Sequence, residues 1–137
     1  MSLGIPLNTD STLKGQTVFL AERCGELMHD DIITDRTILD VMAFTMNAKS
    51  IPYQDKEAFE TYASEFIREY DHIFYISPQG IEIEDNGIRE TDEQYRDLID
   101  STITTLINKH GHKAGKINKI SGTTEERTLQ ILHFLQS

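Results

Sequence analysis

Tyr70-Asp71-His72-Ile73-Phe74-Tyr75-Ile76-Ser77-Pro78 is the stretch on which the fold turns. From His72 to Ser77 it reads as a short buried strand, ended by Pro78. Immediately before it, Phe59, Tyr62, Ala63, Phe66, Ile67 and Tyr70 recur at the spacing of one helix face, the cleanest such stripe in the chain. Two more short runs of strand character lie on either side in sequence, Ile32-Ile33-Thr34 and Lys116 to Ile120. The first is β-branched and interrupts a helical period abruptly, which favours a strand over a helix fragment. Strands that alternate with helices point to right-handed crossovers and a short parallel sheet flanked by helices on both faces. The expected class is therefore α/β. Three short strands make a small sheet for this many helices, and the pattern reads as incomplete at its N-terminal side. The competing reading is a small all-helical protein whose strands are misassigned.

Outward from this centre, Leu13, Leu20, Ala21, Cys24, Leu27 and Met28 predict an amphipathic helix over about 11–28, after a non-periodic start. Thr37 to Met46 is apolar on nearly every side, the pattern of a buried helix. Gly80, Asn86 and Gly87 among acids mark 79–91 as a polar loop. Thr91 with Gln94 forms a capping box for a helix striped by Tyr95, Leu98, Ile99, Ile103, Leu106 and Ile107 and closed by Gly111 and Gly115. Thr123 with Glu126 forms another, before a last helix through Leu135. Neither repeats nor linkers divide residues 1–137, which read as one domain.

The 137 residues carry 23 acids against 13 Lys and Arg, a net charge of −10. That sign repels a polyanion, so duplex nucleic acid is not an expected partner. A small phosphorylated ligand remains compatible, since a few arginines and helix N-termini create local positive sites. The single Cys24 permits no intrachain disulfide and fits a reducing, cytoplasmic setting; it is expected as a small buried hydrophobe. No apolar run approaches the roughly 20 residues that span a bilayer, and Met1-Ser2-Leu3-Gly4 lacks the features of a signal peptide. No membrane partner is expected.

Three places could carry chemistry. Asp35-Arg36 follows the first strand candidate, at the strand end where ligands gather in open α/β sheets. A carboxylate there can hold Mg²⁺ or accept a hydroxyl proton, and the adjacent Arg can grip an oxyanion; a helix start with a solvated Arg explains the pair equally. Arg89 follows the Asp85-Asn86-Gly87 turn, and Arg96 lies beyond the Thr91 cap, so both could reach one polyphosphate. An acidic surface loop with two solvated arginines is the alternative. Ser121-Gly122-Thr123-Thr124 could border a purine edge, or be a plain strand-to-helix connection. Gly111 to Lys116 has the form G-x-x-x-G-K but lacks a spacer and the hydroxyl residue, and it precedes a strand, so it is not a phosphate loop. His110 and His112 read as solvated loop residues.

In order, these places resemble the C-terminal portion of AAA-type P-loop kinases similar to ribosylnicotinamide kinases and phage or bacterial nucleoside and nucleotide kinases. The resemblance rests on Ile32-Ile33-Thr34-Asp35-Arg36-Thr37 with Asp40, Tyr70 to Ile76, Glu84 to Arg96 and Ile120 to Arg127. Asp85-Asn86-Gly87-Ile88-Arg89 with Tyr95 and Arg96 is its most specific part. It implies that Asp35 lies near Mg²⁺ or the acceptor hydroxyl and that Arg36 contacts the acceptor. Arg89 and Arg96 would belong to a lid over 79–96, and Ser121, Gly122 and Thr123 would border the adenine of ATP. Phosphoryl transfer depends mainly on positioning and charge neutralisation, which suits these residue types. Such kinases open with a strand, a G-x-x-x-x-G-K-[ST] loop and a helix, and that motif does not occur in this sequence. The chain is therefore expected to be a truncated domain, with ATP and Mg²⁺ as cofactors of the parent enzyme and none held tightly here. A nucleoside or nucleotide acceptor is the expected ligand, transfer from ATP is not expected, and an exposed strand edge favours a homodimer. The competing class is a non-catalytic interaction domain with a degenerate version of the same fold.

Overall fold

The computed structural model describes residues 11–76 and 90–136, the side chains of 90–92 excepted. Helices α1 (Leu13–Glu26), α2 (Ile38–Met46) and α3 (Tyr53–Ser64) precede strand β1 (His72–Ile76); helix α4 (Glu90–His110), strand β2 (Lys116–Ile120) and helix α5 (Thr124–Gln136) follow. The α/β class holds, and the all-helical reading falls.

Helix α2 is the centre of the core. Its near-continuous apolar sequence leaves Ile38, Leu39, Val41, Met42 and Ala43 buried, with α1, α3 and α4 around it. Its start is fixed by a capping box: Thr37 Oγ1 accepts from Leu39 N at 3.1 Å, and Asp40 Oδ2 accepts from Thr37 N at 2.9 Å. Leu20, Phe59, Ala63, Ile67, Tyr70, Ile73, Ile99 and Leu106 complete the cluster. The predicted stripe of 59–70 is interrupted, since α3 gives way to a 3₁₀ turn over Glu65–Glu69. Within α3 itself Phe59 and Ala63 face the core, while Tyr62 is on the solvent side, 63% exposed, and is not core as expected. Leu98, at 49%, is likewise on the solvent side of α4.

β1 and β2 pair in parallel, His72 opposite Lys116 through Ile76 opposite Ile120. Gly115 N donates to Tyr70 O at 3.0 Å and Lys116 N to Asp71 O at 2.9 Å, which sets the register from its first residues. A Cβ on Gly115 would fall on the Asp71 carbonyl oxygen, so the strands can approach this closely only with glycine there. Alternation places Ile73, Ile117 and Tyr75 toward α4, where Tyr75 Oη lies 3.4 Å from Thr104 Oγ1. The opposite face carries Phe74, whose ring meets Phe134 of α5 at 6.3 Å. Three layers result, helix–sheet–helix.

The expected first strand is a correction. Ile32-Ile33-Thr34 has no regular secondary structure and forms no ladder among the described residues, and Ile33 is 92% exposed. β-Branching makes a segment fit a pleated surface; cross-strand partners make it a strand. Here a cleft lies between the segment and β1, and no described strand pairs with it.

Candidate functional site

The cleft, about 1240 Å³, is walled on one side by 29–37 and on the other by β1 and α4. Asp35 and Arg36 line the first wall; Tyr95, Arg96 and Asp100 line the second. Its floor includes Leu39, Phe44, Ile73 and Ile99, with Ile131 and Leu135 of α5 reaching it around β1. β1 is hydrogen-bonded to β2 along one edge, and its residues 72–76 border the cleft.

On the first wall the backbone is strained. Arg36 has φ 75°, in the left-handed region, a conformation that costs a non-glycine residue about 1–3 kcal/mol. Side chains hold it there. Thr34 Oγ1 donates to Arg36 O at 2.9 Å, and Arg23 Nη1 of α1 donates to Asp35 O at 3.2 Å while paired with Glu26 Oε1 at 2.5 Å. Asp40 lies behind the turn. Burial raises its pKa against the opposing pull of the Thr37 N–H, Arg36 and Arg23, and its cap bond makes it a structural carboxylate. Tyr70, just before β1, accepts from Ile38 N at 3.2 Å through its hydroxyl. Burial above all pushes this phenol up to about 12, the Ile38 N–H bond acting against the shift.

The second wall holds polar atoms that the fold leaves unsatisfied. Tyr95 Oη, Arg96 Nε and His72 Nδ1 are buried and have no hydrogen-bond partner among the described residues, and all three residues line the cleft. Such atoms are uncommon in native proteins and call for a ligand or solvent partner. Tyr95 also packs on Phe44, with ring centroids 6.2 Å apart, and burial raises its pKa. Burial likewise raises the Asp100 carboxyl, against the field of Lys119.

Asp35, Arg36 and Arg96 thus border one cavity although 60 residues separate Arg36 from Arg96 in sequence. Ser121, Gly122 and Thr123 do not line it. They form the exposed turn after β2, with Gly122 at φ 101°. Because the strands are parallel, this turn sits at the same sheet end as Ile76, the last residue of β1. Ser121 N donates to Gln130 Oε1 at 3.2 Å and Gln130 Nε2 to Ser121 O at 2.8 Å, so the Ser121 backbone is already engaged. The Thr123–Glu126 capping box is formed, with Glu126 N donating to Thr123 Oγ1 at 3.2 Å. Arg89 and most of the expected lid, 79–89, lie outside the described residues.

Sequence reasoning missed Arg23, which in α1 reads as half of an ordinary i,i+3 ion pair. It also misplaced His110. Instead of a solvated loop residue, His110 is buried at the end of α4, its Nε2 2.9 Å from Glu60 Oε2, which also accepts from Lys109 Nζ at 2.6 Å. No group of three His, Cys, Asp or Glu side chains among the described residues is arranged to hold a metal. None of the described helices is long and apolar enough to cross a membrane.

A family model described as an AAA domain matches residues 13–127. No curated protein and no solved structure matches the chain.

Proposed function

The chain belongs to the AAA domain family, and from that premise we propose that it forms the acceptor-binding and lid portion of an ATP-dependent nucleoside or nucleotide kinase. The observation that supports this best is the cleft. One cavity is bordered by Asp35 and Arg36 from one wall and by Tyr95 and Arg96 from the other, and β1 faces it. In this reading the cleft receives a strand, a phosphate-binding loop and a helix supplied outside these residues. The strand pairs with β1 and brings Ile32-Ile33-Thr34 into the same sheet.

Asp35 takes the acceptor hydroxyl or a water of the Mg²⁺ shell, Arg36 contacts the acceptor, and Arg89 and Arg96 neutralise the phosphoryl group in transfer. Ser121, Gly122 and Thr123 border the adenine through groups that Gln130 does not occupy. When bound, ATP with Mg²⁺ supplies the phosphoryl group and the charge that polarises it. Tyr95 closes the side of the cleft toward Phe44 and offers the ligand its hydroxyl, unpaired among the described residues.

The competing reading, a non-catalytic interaction domain, draws on α5, where Leu129, Leu132 and Leu135 are exposed. Completion separates the two. Joined to a strand–loop–helix unit carrying G-x-x-x-x-G-K-[ST], the protein is expected to move the γ-phosphoryl of ATP to a nucleoside or nucleotide. Arg96→Ala should cut that turnover by about 100-fold. A completed, folded protein that binds ATP yet transfers to no such acceptor would favour the interaction domain.

A further inference from the structure

We propose that Arg23 is a positioning residue that holds Arg36 in its left-handed conformation and so sets the acceptor-facing wall of the cleft; the functional half of this claim rests on the kinase reading above. The two carbonyls that flank the Arg36 Cα are each pinned by a side-chain donor. Asp35 O, on its N-terminal side, accepts from Arg23 Nη1 at 3.2 Å, and Arg36 O, on its C-terminal side, accepts from Thr34 Oγ1 at 2.9 Å. Fixing the peptide units on both sides of one Cα fixes its φ and ψ, here at φ 75°. Neither donor is itself loose: Arg23 is tied to Glu26 within α1, and Thr34 reaches only two residues along the chain.

The geometry gives α1 a role that its sequence conceals. It packs on α2 through its apolar side and, through one guanidinium, reaches across to a turn that precedes α2. Released from these bonds, Arg36 relaxes toward the right-handed or extended regions that L residues prefer, which swings its side chain relative to the capped start of α2. A site built to grip an acceptor works only when the gripping group is held in place by supporting contacts. Arg23 and Thr34 are those contacts for Arg36.

The test uses the whole 137-residue chain and the variants Arg23→Ala, Arg23→Lys and Thr34→Val. Two readouts are taken: the strong amide-to-Hα NOE within Arg36 that a positive φ produces, and adenosine affinity by amide shift titration. The wild type is expected to show the NOE. Arg23→Ala and Thr34→Val should lose it and bind adenosine at least about tenfold more weakly. Arg23→Lys, whose ammonium can donate to the same two oxygens, should restore most of both. Persistence of the NOE in Arg23→Ala overturns the proposal, as does its loss without change in adenosine affinity. If Arg23→Ala does not fold, Arg23→Met, which keeps the aliphatic stem and deletes the guanidinium, decides by the same criteria. If the wild type binds no adenosine but the NOE follows Arg23, the conformational claim stands and the acceptor reading fails.

Discussion

Single residues carry more of this site than their identities announce. Tyr70 lies in a stripe that reads as packing, yet its hydroxyl satisfies the first backbone N–H of α2. Tyr70→Phe should lower stability by about 1–2 kcal/mol, measured by denaturant unfolding, because a buried N–H loses its acceptor. The pH dependence has a definite sign. The folded phenol is raised to about 12 from an ordinary 10, so the fold favours the protonated form. That contribution is complete below pH 10 and is lost as pH rises through 12. Melting curves across this window should fall more steeply for the wild type than for Tyr70→Phe; parallel curves would contradict the assignment. Asp40 teaches the converse. It belongs to the stretch that carries the family resemblance, while its carboxylate caps the start of α2.

At the level of elements, local chemistry was legible wherever it is self-contained. The start residue Thr123, the stop residue Gly111, the nearly all-apolar α2, and the strands at 72–76 and 116–120 follow from spacing and capping. What depends on a distant partner did not show. Ile32-Ile33-Thr34 has strand composition but lacks a neighbour, and Arg23 matters through a carbonyl 12 residues away. His110 is buried only because Glu60, on another helix, receives it. Glu60 ties α3 to the end of α4. Burial raises its pKa, but the hydrogen bonds from Lys109 and His110 prevail and lower it overall. Its stabilising effect is therefore present above the ordinary glutamate range and is lost as pH falls through the depressed value. Glu60→Gln should cost about 1–3 kcal/mol near neutral pH and make acid unfolding less steep. Gly115→Ala tests the sheet itself. The new methyl meets the Asp71 carbonyl, so a loss of about 1–3 kcal/mol is expected in the same unfolding assay.

At the scale of the molecule, the described residues form three layers around a cleft that their two-stranded sheet leaves beside β1. Exposed strand edges invite pairing between chains. Light scattering on the eluting protein is expected to give twice the 15.7 kDa chain mass; a strictly monomeric peak at high concentration would remove strand pairing between copies from the account. The same cleft bears the central claim, that two walls distant in sequence form one acceptor site. The most direct measurement is an amide shift titration of the chain with adenosine and with adenosine monophosphate. The account predicts saturable shifts at Asp35 and Arg36 on one wall and at Tyr95 and Arg96 on the other, with a dissociation constant of about 1 mM or tighter for at least one ligand. Shifts confined to other surfaces, or none on either wall at ligand concentrations of about 10 mM, would contradict it.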